Sequence, residues 1–398
     1  MSDSTPYDAG SIFDLFMDPS APAPSQPRRL TCQVEMDAAV QSVCTMFDYA
    51  FDGTSTFDVP TLTPPDDWSV GLIVGASGSG KSSMLRSFGE LCPVPLWDGR
   101  AIVSQLGSDF VERLSAVGLN SIPSWVRPYS ALSTGQKFRA DLARCLQDGA
   151  LLDEFTSSVD RVVAASTSCA MRRYIDRKGL RRIVVATCHR DVAEWLCPDW
   201  VFDTGGGELR VGRAPRAPIA FELEPCSADE WRLFSPHHYL DGSLNRSARC
   251  WLALWRGVPV GFASALAFPN GNFRDAWREH RTVVLPDYQG LGIGPRLSDA
   301  VADLFVQSGC RYFSKTAHPR LGSYREFSPL WKATSKNHRA RLDYKGDHAY
   351  ATKEDGHKLA HAQRVCFSHE RVRPALSEPD VPEPVHPILD LFLEAVSE

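Results

Sequence analysis

Long apolar runs are missing from this sequence. No stretch approaches the roughly 18 residues that a membrane-spanning helix needs, and the opening residues lack the basic, apolar, small-residue succession of a signal peptide. Both absences set the expectation of a cytoplasmic protein with no membrane partner. Cysteine motifs are missing as well: the eleven cysteines are odd in number and include no C-x-x-C pair. That is the usage of free thiols in a reducing compartment rather than of a disulfide framework or a zinc site. Nor does one sign of charge dominate, with 43 Lys and Arg against 48 Asp and Glu and a net charge of −5. Any surface for a polyanion must therefore be local. No repeat of solenoid length occurs.

What is present is a chain of 398 residues with 43% hydrophobic content, enough for two or three globular domains. Residues 1–29 are rich in Ser, Asp and Pro and read as disordered, apart from the island Ile12-Phe13-Asp14-Leu15-Phe16. Globular composition runs over 30–212. Two prolines within 213–218 suit neither a helix nor a central strand and read as a linker. A second globular block covers 219–373. The tail 374–398 is again Pro- and Glu-rich, and carries Ile388-Leu389-Asp390-Leu391-Phe392.

The first block contains Gly75-Ala76-Ser77-Gly78-Ser79-Gly80-Lys81-Ser82 between an apolar strand, Val70 to Val74, and a helical segment, Ser83 to Glu90. Glycines at this spacing let successive backbone N–H groups turn inward toward phosphate oxygens. Lys81 reaches the β- and γ-phosphates, and Ser82 supplies a hydroxyl for Mg²⁺. Downstream come an expected strand, Ala101 to Gln105, then Leu132-Ser133-Thr134-Gly135-Gln136 opening a helix, Lys137 to Gln147. Ala150 to Leu152 runs as a strand into Asp153-Glu154, Ser157-Ser158-Val159-Asp160 follows, and the strand Ile183 to Thr187 delivers His189.

This succession resembles the ABC-type ATPase family over about residues 30–212. The resemblance implies ATP and Mg²⁺ as ligands. Gly75, Ser77, Gly78, Ser79, Gly80, Lys81, Ser82 and Ser83 would hold the phosphates, and Ser82, Gln105 and Asp153 would attend the metal. Glu154 would polarise the attacking water and His189 would contact the γ-phosphate. Ser133, Gly135 and Gln136 would close over ATP bound to a second copy, which implies a homodimer. Only 28 positions separate Gln105 from Ser133, a short insertion that fits a non-transport member, and Phe155 stands where the family usually has proline. An aromatic upstream of the glycine loop is expected to stack on adenine, with Phe57 and Phe51 as candidates.

In the second block, Ile219 to Glu224 reads as a strand and Ala228 to Phe234 as a helix. Cys250 to Trp255 and Val260 to Phe268 form a hairpin through Arg256-Gly257. Arg281 to Leu285 leads into Gln289-Gly290-Leu291-Gly292-Ile293-Gly294, and the next helix places Ile293, Leu297, Val301 and Leu304 on one face. Arg311 to Ala317 is a further strand. A Q-x-x-G-x-G loop in this order resembles the coenzyme A-binding loop of GNAT acyltransferases, so the fold expected overall is α/β: an ABC-type ATPase domain followed by a GNAT-like α+β acyltransferase domain. It is not a Rossmann loop, because no acidic residue follows at the required distance. The resemblance implies acetyl-CoA or another acyl donor on Gln289, Gly290, Leu291, Gly292, Ile293 and Gly294. Acyl transfer needs an acid for the leaving thiolate and a base for the amine: Tyr324 is the candidate acid, and His238 or His318 the base. A metal on His237, His238 and Asp287 is an alternative.

The runs Thr316 to Arg325, Ser328 to Trp331 and His237-His238-Tyr239 are similar to the branch of this fold that includes phage DNA-modifying Mom acyltransferases. Between Arg311 and Lys345, nine Lys and Arg stand against two acids, with six aromatics among them. Cations neutralise phosphates while aromatics stack on bases. These features together predict a DNA base as acyl acceptor. Acetylation of tRNA, protein or a small molecule is the alternative, as is a nucleic-acid clamp with a non-catalytic second domain. Ile12–Phe16 and Ile388–Phe392 are similar to peptides that dock bacterial sliding clamps, although both lack the leading glutamine.

Overall fold

The computed structural model describes residues 28–213, 219–239, 242–269, 273–340 and 365–372. The two apolar-Asp-Leu-Phe segments and most of the 213–218 stretch lie outside them. The chain divides into two compact units, the first holding the described residues up to 213 except Ser121–Pro123 and the second those from 219 onward together with that short stretch.

The first unit starts with an antiparallel pair, β1 (Arg28–Gln33) and β2 (Thr54–Val59), bracketing helix α1 (Ala38–Met46). Its main sheet has the order β4-β5-β3-β6-β7, built from β3 (Val70–Val74), β4 (Leu151–Leu152), β5 (Ile183–Thr187), β6 (Trp200–Asp203) and β7 (Glu208–Val211). All neighbours are parallel except β6 and β7. Continuous burial along β3 and β5 explains their unbroken Val/Ile/Leu composition, since a parallel sheet is covered on both faces. Trp200 lies so close under β3 that a Cβ on Gly71 would sit 1.9 Å from its ring. Phe88 stacks on that indole at 5.8 Å and Trp68 meets it edge-on at 5.4 Å.

Helices α2 (Lys81–Leu85), α3 (Phe110–Ala116), α4 (Thr134–Cys145), α5 (Arg161–Lys178) and α6 (Val192–Leu196) complete this unit. Asp160 caps α5 by accepting the Val162 and Val163 amides at 2.9 Å each, and Gly179 closes it in the left-handed region. Such a cap contributes about 1 kcal/mol. Three expectations fail here. Helix α2 stops at Leu85 instead of reaching Glu90, because Ser87 and Phe88 turn back onto the Met84 and Leu85 carbonyls in tighter i→i−3 bonds. Ile102–Gln105 is a 3₁₀ turn, not a strand; only Ala101 forms a bridge, to Pro128. Cys92 and Cys145 are disulfide-bonded across 53 residues, where the end of α4 meets the chain beyond α2. The other nine cysteines are free.

The second unit is one sheet with the order β13-β15-β12-β11-β10-β9-β8, with β14 on the β15 side. Its strands are β8 (Glu222–Cys226), β9 (Arg249–Trp255), β10 (Val258–Ala267), β11 (Ala276–Val284), β12 (Arg311–Thr316), β13 (Trp331–Ala333), β14 (Arg339–Ala340) and β15 (Val365–Arg371). β9 turns into β10 at Arg256 and Gly257, with φ of 54° and 75°, the geometry that suits the twist of a hairpin. Helix α7 (Trp231–Phe234) packs on Leu252, Phe262 and Val283 on one face. On the other face lie α8 (Ile293–Gln307) and α9 (Pro319–Phe327). α8 buries Ile293, Leu297 and Val301 as its spacing requires, but the fourth inward position is Phe305 rather than Leu304. Phe305 stacks on Trp277 at 4.6 Å and on Tyr312 at 5.4 Å. No helix among the described residues is long and apolar enough to cross a membrane.

Candidate functional site

In the first unit, β3 feeds directly into the glycine loop. Gly78 and Gly80 have φ of 78° and 87°, a region that glycine enters without steric cost. A side chain on Gly75 would collide with Thr204 Oγ1 at 1.8 Å, and Ser79 Oγ already pairs with that hydroxyl at 2.6 Å. Lys81, 6% exposed, donates from Nζ to the Ala76 carbonyl at 2.6 Å, folding its ammonium over the loop. The cradle fits a chain of phosphates: an ammonium at its centre, curled glycines, and the Ser82 hydroxyl at its rim. Ser77 and Ser83 belong to the same turn and its following helix.

Phe57 and Phe51 are now distinguishable. A Cβ on Gly80 would lie 2.6 Å from the Phe57 ring, so β2 holds that ring against the loop. Phe51 stacks instead on Tyr49 at 6.2 Å. Phe57→Ala is therefore expected to raise the Kd for ATP roughly tenfold, as removal of a base-stacking ring does. Equilibrium titration with a fluorescent ATP analogue reads it, and Phe51→Ala serves as the unaffected control.

β4 ends in Asp153 and Glu154. Glu154 has φ of 49°, and its Oε2 accepts Ser157 Oγ at 2.6 Å. Asp153 Oδ1 accepts the Glu154 amide at 2.9 Å. Phe155 is buried at 1% exposure and packed against Phe138. His189 follows β5; burial, then the charge of Arg161, holds its imidazole below the usual range, against the opposing carboxylates Asp191 and Glu154. Glu154 and His189 thus share one electrostatic environment. Gln105 stands apart: its side-chain amide accepts the Asp98 amide at 3.1 Å and donates to the Arg100 carbonyl at 3.0 Å, closing a local turn. Ser133 caps α4 reciprocally with Gln136, at 3.4 and 3.1 Å. A Cβ on Gly135 would meet Val163 at an ordinary 3.5 Å, so packing within one chain does not demand glycine there.

In the second unit, β11 and β12 pair only from Ala276 to Arg278 against Arg311 to Phe313. Beyond that they splay, β11 continuing with β10 and β12 with β15. The glycine loop sits at the end of β11. Gln289 Nε2 braces it on the Val284 carbonyl at 2.9 Å, Gly290 and Gly292 have φ of 104° and 81°, and Gly292 begins α8 without a side-chain cap. A 15-residue helix whose first amides carry no side-chain acceptor suits a phosphate. Leu291 and Ile293 anchor the loop in the core, and a Cβ on Gly294 would rest 3.6 Å from Val284. A pyrophosphate at the loop and a thioester arm in the splay fit this shape.

The proposed acid and bases are less well placed. The Tyr324 hydroxyl donates a hydrogen bond to Asp299, which Trp331 Nε1 also reaches at 2.7 Å and Arg371 at 3.0 Å. Burial, then Asp299, pushes that phenol up to about 12. His238 lies edge-on to Trp231 at 5.6 Å and stacked with Tyr239 at 5.0 Å. His318 precedes α9, its amide bonded to Thr316 Oγ1 at 3.0 Å. The metal alternative is not formed: among the described residues no cluster of His, Cys, Asp and Glu could hold an ion, and His237, lowered by burial, feels Asp287 alone.

Sequence reasoning missed the group at the floor of the splay. Glu279 accepts Thr282 Oγ1 at 2.7 Å, Ser298 Oγ at 2.9 Å, Ser314 Oγ at 2.5 Å and Arg325 Nη2 at 2.7 Å. The mixed burial of a strand whose inner face is polar gave no alternating signal. The basic, aromatic run is divided by the fold: Tyr312, Arg325 and Trp331 are buried and Arg311 is paired with Glu370, while Lys315, Arg320, Lys332, Lys336, Arg339 and Phe327 are exposed.

Residues 216–330 match the family model described as the Acetyltransferase (GNAT) family. Among solved structures, a dimeric bacterial ABC transporter cassette is 15% identical, with a TM-score of 0.32, covering 40% of this chain and 94% of that one. An IAA acetyltransferase from Bacillus cereus is 15% identical, with a TM-score of 0.28 and coverage of 38% and 99%. The ribosomal-protein-S18-alanine N-acetyltransferase from Escherichia coli is 12% identical, with a TM-score of 0.28 and coverage of 41% and 100%. Among curated proteins none matches. Both units are mixed α/β, and the stretch matched by the GNAT model falls almost entirely on the second.

His189, His237 and His369 are all held below the ordinary imidazole range, in each case chiefly by burial. The unfolded chain takes up protons near pH 6.5, where these folded imidazoles do not. Their contribution to stability is complete above that pH and declines as the pH falls through it. The thermal midpoint should drop between pH 7.5 and 5.5, before carboxylates titrate; a flat midpoint over that window contradicts the assignment.

Proposed function

We propose that the protein is an ATP-hydrolysing acyltransferase working as a homodimer in the cytoplasm, its acceptor an amine on a DNA base. Two phosphate cradles of different construction in one chain carry this reading: the Gly75–Ser82 loop around Lys81, and the Gln289–Gly294 loop at the mouth of the β11/β12 splay. The first suits ATP with Mg²⁺ on Ser82 and Asp153; Gln105 joins them only after releasing its turn. Bound Mg²⁺ would neutralise charge on the phosphates. Glu154 orients water, His189 supplies a neutral imidazole beside it, and Ser133 with the uncrowded Gly135 meets the nucleotide of a second copy. The second cradle suits acetyl-CoA or another acyl-CoA.

The test is mass spectrometry of nucleosides from DNA and RNA of cells producing the full chain, against Gly292→Asp. A new acylated deoxynucleoside that disappears in the variant supports the proposal; an acylated ribonucleoside from tRNA instead assigns a different acceptor. One observation favours a second reading, a nucleic-acid clamp with a silent second domain: the Tyr324 proton is committed to Asp299 and not offered to a leaving thiolate. Under that reading no product forms with any acyl-CoA, while nucleic acid still binds. Docking of a sliding clamp by Ile12–Phe16 or Ile388–Phe392 is a separate proposal, read by pull-down with each Phe changed to Ala.

A further inference from the structure

The two faces of the second unit's sheet are covered unequally. α8 and α9 lie over the face that carries Trp277, Glu279, Tyr312 and Ser314. On the opposite face α7 reaches Phe262 and Val283, and no helix among the described residues covers the far end. Pairing fixes which side chains share that end: Leu266 lies opposite Arg278, Arg278 opposite Phe313, Phe313 opposite Glu370, and Lys332 opposite Glu370. With a strand period of two, Phe268 joins Leu266, and Arg311 and Lys315 join Phe313.

Three phenylalanines converge there. Phe313 has Phe268 and Phe273 on either side, each 6.0 Å away between ring centres. Phe268 remains 38% exposed, although an apolar ring at the end of a strand could have been buried. Cations stand against the rings: Arg311 lies 3.7 Å over Phe273 and 5.0 Å from Phe313, and Arg278 lies 5.7 Å over Phe268. Glu370 accepts from Arg311 Nε and Nη2 at 2.5 and 2.7 Å, and this bidentate pairing makes the arginine a stacking plate rather than a spare charge. The charge comes from exposed Lys315 and Lys332, neither within ion-pair distance of a carboxylate among the described residues, with exposed Arg274 beside exposed Asp275.

We infer that this open sheet end binds single-stranded nucleic acid, bases stacking on Phe268, Phe273 and Phe313 and phosphates meeting Arg278, Lys315 and Lys332. An acidic peptide would satisfy the lysines but would leave the flat rings without planar partners. A duplex keeps its bases stacked on one another and offers none to the rings. Stacking platforms combined with cations along a backbone track are what a single strand requires. The inference rests on the nucleic-acid reading of the function and narrows it, since an acceptor base would arrive unpaired.

The experiment is fluorescence anisotropy of the full-length protein with labelled dT12, a matched 12-base-pair duplex and polyglutamate, across a salt series. Wild-type protein should prefer dT12 over both other probes. Phe268→Ala with Phe313→Ala should weaken dT12 binding by roughly 10- to 100-fold. Lys315→Gln with Lys332→Gln, both on the surface, should flatten the slope of log affinity against log salt by about 1.4. Circular dichroism melts of the lysine pair control for folding. Equal binding of duplex or polyglutamate, or dT12 binding unchanged in both double variants, overturns the site. In that event a base acylated in the nucleoside experiment would leave the proposed function standing; absence of any acylated base with dT12 binding intact would do the reverse.

Discussion

Glu154→Gln should lower ATP turnover at least about 100-fold while leaving ATP affinity within a small factor of wild type. The carboxylate follows β4 with a left-handed φ of 49° and is steadied by Ser157. Glutamine can keep that hydrogen bond but cannot draw a proton from water. The loss therefore falls on the chemical step and not on binding. Lys81→Ala should behave differently: turnover and affinity both collapse, because the ammonium folded over the loop at Ala76 is the only charged group that enters the cradle from the loop itself. Steady-state phosphate release together with ATP titration separates the two. If Glu154→Gln hydrolyses ATP at the wild-type rate, the role given to this carboxylate is wrong. If Lys81→Ala retains both activities, the first unit does not use ATP at this loop. His189 supplies a pH signature for the same site. Burial and Arg161 keep its imidazole neutral to lower pH than an ordinary histidine, so the acid limb of the ATPase profile should lie below pH 6.5 where it reports this group.

Why so much of the first unit could be read from residues alone follows from its chemistry. A phosphate cradle fixes the backbone, and only glycine accepts the left-handed angles at Gly78 and Gly80, so the motif and the geometry are one constraint. The fully buried strands β3 and β5 announce themselves as apolar runs for a similar reason. The strand expected at 101–105 does not form: an isolated Ala-Ile-Val-Ser-Gln run has strand composition, but its conformation is fixed by Gln105 hydrogen bonds to Asp98 and Arg100 that no periodicity encodes. The Cys92–Cys145 bond is invisible for the same cause, since contact across 53 residues leaves no spacing rule. In the second unit the glycine loop and the hairpin at Gly257 were legible, again because backbone angles select residues. The polar floor of the splay was not: Glu279, Ser298, Ser314 and Arg325 come from four elements and become a group only when folded. The same folding turned Tyr312, Arg325 and Trp331 of the basic, aromatic run inward, which counting charges along the chain could not anticipate.

That polar floor yields the second large effect, on stability rather than turnover. Arg325 is 1% exposed and Glu279 8% exposed at the side chain, paired at 2.7 Å. Burial alone would raise the Glu279 carboxyl; Arg325 first, then the three hydroxyls, hold it below its ordinary range. Arg325→Ala removes the cation and leaves an ionised carboxylate in the core, a change that costs about 3–5 kcal/mol. The unfolding midpoint of the second unit should fall by roughly 10 °C or more. Glu279→Gln combined with Arg325→Met should recover much of that, since a neutral pair needs no counter-charge. The pH dependence has a definite sign. In wild type the carboxyl is depressed, so the pair's contribution is full above the ordinary carboxyl value and disappears only as the pH falls below it. In Arg325→Ala the desolvated carboxyl is raised and takes up a proton sooner. The deficit of the variant is therefore largest at neutral pH and narrows on acidification. A deficit independent of pH, or a double variant no better than the single one, would mean that Arg325 acts by filling space over Trp331, where its guanidinium rests 4.7 Å from the ring, and that charge at Glu279 is not what holds β11 and β12 in their splayed arrangement.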